Sequence, residues 1–349
     1  MPTGLITRRR ALQGLGLAAV APFAPAWAAE TAGGDPILSF LAVGDWGRDG
    51  ELLQVEVAKR MGQAAAALDA AFVISVGDNF YEDGVTGIDD PKWRTSFEDV
   101  YTAASLQVPW YVALGNHDYH GDTQAQLDYA KTSPRWRMPG RWYGASQAAV
   151  ASKGRVGVDL FVLDTSPFIS AYHADGERKV KVDGQRTAPQ LRWLDAALAK
   201  STADWKIVVG HHPIYSAPQF RTPGGTPELI ARLDPILQRH RVPLYLNGHE
   251  HDLQHIARGA THYVCTGAGS LTRERCRAQP GDFCSVHPGF TAFAASPKLL
   301  WIGYRDWTGE DLYVVEIPRP AESVGDIAAR TRPVARRNRG AGSGPGRRR

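Results

Sequence analysis

Cysteine is scarce in this chain: three in 349 residues, Cys265, Cys276 and Cys284. So few thiols exclude a disulfide-built mini-domain, and none of the three has the spacing of a structural zinc knuckle. Cys276 and Cys284 are near enough in sequence to close a small loop in an oxidising compartment, which leaves Cys265 as the odd thiol on an expected strand over 261–265. Long apolar runs are missing as well. The nearest candidate, Ala11 to Pro25, is too short and too rich in glycine and proline to span a bilayer. There is no internal repeat, and no low-complexity segment before the arginine-rich tail, so a repeat architecture is excluded. What remains, 43% hydrophobic and 22% charged residues, is the composition of an ordinary globular protein.

The net charge of +4 conceals three regions. Residues 1–28 carry +3 from Arg8, Arg9 and Arg10, and residues 330–349 carry +8, all arginine; removing both from the total leaves −7 on the body. An acidic body gives no surface argument for nucleic acid. Thr7-Arg8-Arg9-Arg10-Ala11-Leu12 has the pattern of a twin-arginine export motif, followed by a mild apolar stretch and an Ala26-Trp27-Ala28 cleavage site. Residues 1–28 therefore read as a signal peptide for an exported, periplasmic or secreted protein. Residues 326–349 mix arginine with glycine, proline and serine and read as a disordered, solubilising tail that could also contact anionic surfaces. Between them, 29–325 reads as a single domain.

Five short polar motifs each follow an apolar run. They are Gly44-Asp45-Trp46-Gly47, Gly77-Asp78-Asn79-Phe80-Tyr81, Gly115-Asn116-His117-Asp118, Gly210-His211-His212-Pro213 and Gly248-His249-Glu250-His251-Asp252. The runs before them, 37–43, 72–76, 110–114, 205–209 and 244–247, predict buried strands. Helical patterns over 51–68, 96–104, 189–198 and 227–240 alternate with them, which argues for α/β layers. Further β-rich stretches, 156–164, 299–305 and 311–317, call for a second sheet packed on the first. The segments 123–143 and 271–293 are rich in Arg, Pro, Trp and Gly and read as long surface loops near the site mouth.

Residues that follow strands of an α/β sheet converge on one edge. The motifs deliver seven donors there: Asp45, Asp78, Tyr81, Asn116, His211, His249 and His251. Seven are too many for one tetrahedral ion and suit two ions of higher coordination with a shared ligand. Mixed oxygen and imidazole donors without thiolate favour iron, zinc or manganese.

This set of motifs resembles the calcineurin-like metallophosphoesterase superfamily, and more narrowly the purple acid phosphatases of the small, tartrate-resistant type. The narrowing detail is that position 47 is Gly, where most of the superfamily has a histidine ligand, while Tyr81 supplies a phenolate instead. The resemblance implies a four-layer α/β/β/α sandwich of two mixed sheets flanked by helices. It also implies Fe(III) on Asp45, Tyr81, His251 and one oxygen of Asp78, with Fe(II), Zn(II) or Mn(II) on Asn116, His211, His249 and the other oxygen of Asp78.

The activity implied is acid hydrolysis of phosphate monoesters of small molecules by a hydroxide generated at the cations. His117 is the expected contact for the phosphate and leaving group, Asp118 its expected orienting partner, and His212 a weaker catalytic candidate. Two departures from the mammalian pattern stand out: His212 replaces a tyrosine, and Ser216-Ala217-Pro218-Gln219-Phe220 offers no counterpart to a second outer histidine. Two other readings use the same residues: a phosphodiesterase acting on nucleotide or phospholipid diesters, and a non-enzymatic metal-binding interaction protein.

Overall fold

In the computed structural model the described residues are 35–174, 180–182, 184–217 and 225–320. The expected signal peptide and arginine-rich tail therefore lie outside them. Two sheets of seven strands form the centre. In the first, β1 (Leu38–Val43), β2 (Phe72–Ser75), β3 (Trp110–Val112) and β4 (Trp136–Arg137) run parallel. On the far side of β1 lie the antiparallel β12 (Gly289–Ala295), β13 (Leu299–Asp306) and β14 (Asp311–Pro318).

The second sheet is ordered β11-β9-β10-β8-β7-β6-β5. These strands are β5 (Tyr143–Ala151), β6 (Gly154–Val162), β7 (Trp205–Val209), β8 (Leu244–Asn247), β9 (Leu253–Arg258), β10 (Thr261–Thr266) and β11 (Phe283–Ser285). The run β6, β7, β8 and β10 is parallel.

The period-two rule of strands explains how the layers stack. From β7, Trp205, Ile207 and Val209 join the large core that also holds Phe40, Val43 and Ile74 of the first sheet. Val208, between them, turns to the other face and packs with Leu194, Leu198, Leu233 and Leu237. Those four belong to the helical layer of α3 (Thr187–Lys200), α4 (Pro227–Arg232), α5 (Asp234–Arg239) and the residue linking α4 to α5. On the first sheet, α1 (Gln54–Leu68) buries Val57, Ala58, Met61, Ala64 and Ala65, a stripe of helical spacing, against β1 and β12. The result is helix, sheet, sheet, helix.

Several boundaries differ from expectation for local reasons. α1 begins at Gln54 rather than near Glu51 because Asp49 and Leu52 hold left-handed backbone. The helix expected over 227–240 is two pieces, since Pro235 lacks the N–H and crowds the preceding turn. The pattern over 96–104 gives only one turn of π-helix at Trp93–Glu98 and a 3-10 turn at Ala104–Leu106. The strands over 299–305 and 311–317 extend the first sheet instead of founding a second; 156–164 does lie in the second.

The two expected surface loops hold only in part: 271–288 is mostly irregular and exposed or half-buried, yet both segments also carry regular, buried elements. Segment 123–143 carries α2 (Thr123–Tyr129) and β4, and segment 271–293 carries β11 and the fully buried β12. Trp136 of the first segment is core: with Trp46, Phe80, Phe97 and Trp110 it forms an edge-to-face aromatic cluster beneath the polar motifs. Truncating such a side chain costs about 3–5 kcal/mol.

Candidate metal centre

Every motif emerges where a parallel strand ends. Asp45 follows β1, Asp78 and Tyr81 follow β2, and Asn116 follows β3; His211 follows β7, and His249 and His251 follow β8. Both sheets therefore aim their carboxyl ends at one place, and all seven expected donors meet there. Three of them, Asp45, Asp78 and His249, sit at φ of 57°, 49° and 68°. Left-handed backbone is unfavourable for residues with a side chain and collects at functional sites.

The donors sort themselves into two groups around the two oxygens of Asp78. Tyr81 Oη lies 2.9 Å from Asp78 Oδ2, 3.0 Å from Asp45 Oδ1 and 3.1 Å from His251 Nε2. His211 Nε2 lies 3.4 Å from Asp78 Oδ1 and 3.2 Å from Asn116 Oδ1. His249 Nδ1 is 2.9 Å from Asn116 Oδ1 and 3.3 Å from His211 Nε2. Ligands about 2.1 Å from an ion and roughly 90–109° apart are separated by about 3.0–3.4 Å, so the spacing within each group fits a cation at its centre.

The surroundings fix which atoms face inward. His211 Nδ1–H donates to the Val76 carbonyl at 3.0 Å, which turns Nε2 into the site as the atom a cation would take in place of its proton. Asp45 turns Oδ2 to the His249 N–H at 3.0 Å, tying the first sheet to the second, and presents Oδ1 to Tyr81. A Cβ at Gly115 would overlap Asp78, and one at Gly47 would overlap the Asn79 carbonyl. Position 47 therefore has no room for an imidazole, which is why the oxygen of Tyr81 is the donor that reaches this group.

Electrostatics follow the grouping. Burial works to raise the Asp78 carboxyl, but His211, His117 and His249 outweigh it and hold it well below the usual range. Burial works to lower His211, and Asp78 reverses this, bringing it up to about 9. Tyr81 is pushed well above the ordinary phenol by burial and by Asp45 and Asp78. Without a cation, then, the phenol keeps its proton and donates to carboxylate; a cation at the group's centre would take that proton's place.

The three expected catalytic residues part company. His117 is half-buried at the rim, its N–H on Asp78 Oδ1 at 2.8 Å and its Nδ1 2.6 Å from the Glu82 carbonyl. Asp118 does not orient it. The Asp118 carboxylate turns inward and accepts from Gly115 N at 2.8 Å, Gln126 Nε2 at 2.8 Å and Asn79 N at 3.1 Å, so it braces the loops bearing Asp78 and Asn116. The orienting partner of His117 is Glu82 instead. His212 is buried with Nδ1 2.9 Å from Thr165 Oγ1 and Nε2 3.1 Å from Tyr172 Oη, its ring against those of His211 and His249. That is the place of a support, not of a group at the reacting atoms.

Sequence reasoning passed over Asn79, Glu82 and Thr165. Asn79 links Ser75, Ala113, Gln126 and Asp118 in one buried network. Thr165 accepts the N–H groups of His211 and His212, and its only signal was a polar residue just past a strand. Cys276 and Cys284, which the sequence left free to pair or not, form a disulfide beside Asp252, and Cys265 is buried and free. The stretch after Ala217, where an outer histidine was sought, lies outside the described residues. No helix among the described residues is long and apolar enough to cross a membrane.

Comparison with known proteins gives a consistent picture. Residues 38–253 match the family model described as calcineurin-like phosphoesterase. Purple acid phosphatase 7 of Arabidopsis thaliana is 44% identical over 255 residues, covering 71% of this chain and 74% of its own length. Human tartrate-resistant acid phosphatase type 5 is 34% identical over 312 residues, covering 83% of this chain and 93% of its own. Among solved structures, GAP50, described as the anchor in the inner membrane complex of Plasmodium, aligns with a TM-score of 0.71 at 28% identity over 84% of this chain and 95% of its own. Purple acid phosphatase PPD1 of yellow lupin seeds, at 19% identity, shares the fold with a TM-score of 0.62 over 84% of this chain and 55% of its own.

Proposed function

The chain belongs to the calcineurin-like phosphoesterase family, and within it to the purple acid phosphatases, and from that premise we propose that it hydrolyses phosphate monoesters at a dinuclear metal centre. The observation that carries this is the division of donors between the two oxygens of Asp78. Asp45, Tyr81, His251 and Asp78 Oδ2 would hold one ion; Asn116, His211, His249 and Asp78 Oδ1 would hold the other. A hard phenolate suits Fe(III) in the first group, and the neutral amide and imidazoles suit Fe(II), Zn(II) or Mn(II) in the second. When bound, such a pair polarises the phosphoryl group and makes hydroxide available in mild acid.

The protein's own residues do the rest. Because Glu82 takes the Nδ1–H of His117, Nε2 is left as the atom to contact the phosphate and pass a proton to the leaving alcohol. The aromatic cluster and the Asn79 network keep the donor loops fixed, so little reorganisation is needed when substrate arrives. GAP50 indicates that this fold also serves an anchor, and fold alone does not decide activity. The intact seven-donor set and the rim position of His117 favour the enzyme.

The test is turnover of an aryl phosphate monoester and a bis-aryl diester by the metal-loaded protein in mild acid. Monoester turnover well above diester turnover supports the reading. Preference for the diester moves the protein to phosphodiester chemistry, and no turnover of either by fully loaded protein favours the interaction protein. The twin-arginine motif, with an Ala26-Trp27-Ala28 cleavage site, supports export before action; mass spectrometry of the mature N-terminus would show a chain starting at Ala29 if the reading holds.

A further inference from the structure

Arg48 follows the loop that delivers Asp45, yet it is not among the donors. Its guanidinium carbon lies 3.6 Å from the centroid of the Tyr81 ring, and its side chain is only 13% exposed. Nη1 pairs with Glu82 Oε1 at 2.7 Å, while Nε is buried without a hydrogen-bond partner. Glu82 is 65% exposed, and an ion pair with so exposed a partner contributes little by itself. The burial of Arg48 is therefore spent on the ring. The same ring also meets His117, with centroids 4.4 Å apart, and Glu82 reaches His117 through its carbonyl and, at 3.6 Å, through Oε2. Arg48, Glu82 and His117 thus form one chain of contacts around Tyr81.

We propose that Arg48 is a positioning residue for the Tyr81 phenolate: its guanidinium, leashed by Glu82, holds the ring and tunes how strongly the phenolate donates to iron. This rests on the reading of Tyr81 as an iron donor and goes beyond it. A cation over an aromatic face is attracted to the ring's electron density, the more so when water is excluded. Ionising the phenol adds electron density to that face and strengthens the contact. The field of the guanidinium lowers the energy of the phenolate's donor electrons. Light must then supply more energy to move an electron from phenolate to ferric ion, so Arg48 holds the violet band at shorter wavelength than an uncharged neighbour would.

The experiment compares visible spectra of the iron-loaded wild type, Arg48→Met, Arg48→Lys and Glu82→Gln, with iron content measured on each and circular dichroism as the control for folding. Arg48→Met should move the band to longer wavelength at unchanged iron content. Arg48→Lys keeps the charge without the planar stack and should fall between. Glu82→Gln removes the counter-charge and should move the band the opposite way, to shorter wavelength. Shifts of opposite sign are what a general loosening of the site would not produce. A band maximum identical in wild type and Arg48→Met, or one moving in the same direction in Arg48→Met and Glu82→Gln, overturns the assignment while leaving Tyr81 as a donor. A wild type that binds iron and stays colourless overturns both.

Discussion

On one side of Asp78 stand a carboxylate, a phenol and one imidazole; on the other stand an amide and two imidazoles. Both sides are built alike, from loops that follow parallel strands, and both spread their donors at the separations an ion requires. They differ in charge. With the phenol ionised, Asp45 and Tyr81 give the first group two anions of its own, whereas the second has only its share of Asp78. A site rich in hard anions selects and stabilises a trivalent ion, and a site of neutral donors a divalent one. Two similar cradles thus become unequal through two differences of donor type: a carboxylate in place of an amide, and a phenol, where position 47 has no room for a ring, in place of an imidazole.

The largest effect should come from the residue common to both halves. Asp78→Ala should lose both ions by elemental analysis, with monoester turnover falling at least about 10³-fold, since the pair of ions supplies most of the catalysis. Metal content and turnover both intact in that variant would break the comparison at its root. The halves should then separate under single changes. Tyr81→Phe should lose the violet colour, while His249→Ala should keep it and lose the second ion, with affinity there falling by more than the roughly 10–100-fold that changes one layer out from a metal produce. Equal losses of both ions in both variants would mean that the halves are not separable.

His117→Ala should retain both ions and lower kcat about 10²–10⁴-fold, as removal of a proton-transfer group does. Loss of metal instead would move His117 into the structural frame.

A histidine pair away from the donors sharpens the contrast, because it has neither ion nor strong carboxylate partner. His255 Nε2 lies 2.8 Å from His262 Nδ1, and burial together with His262 pushes His255 down to about 4, where Asp78 brings His211 up to about 9. A folded value below the unfolded one favours the neutral ring. The stability His255 contributes is thus present above about pH 6.5 and is lost as pH falls toward 4. Acid melts should show this slope, and in His255→Gln the stability lost between about pH 6.5 and 4 should be smaller by on the order of 2 kcal/mol. An unchanged slope would contradict the neutral assignment.

How much of this was legible in the sequence depended on whether a residue's role was local. All seven donors stood out because each follows a strand and glycine, a one-dimensional signal, and strands β7 and β8 could be bounded to the residue. The residues that hold the donors were hidden because their partners are remote in sequence. Asp118 looked like a partner for its neighbour His117, yet its bonds go back to Asn79 and on to Gln126. Glu82 went unread because its backbone carbonyl, which no composition reveals, is what orients His117. β12 escaped because its small residues pair with β1 from about 250 positions away, and Trp136 because tryptophan among Arg and Pro resembles a loop until the aromatic cluster is seen.

The unequal pair of ions is tested most directly by locating them. Crystals of the protein loaded with iron alone, measured for anomalous scattering at the iron edge, should show two peaks per chain flanking the Asp78 carboxylate, with iron within bonding reach of Tyr81 Oη. A single peak, or two peaks with Tyr81 bonded to neither, would contradict the account.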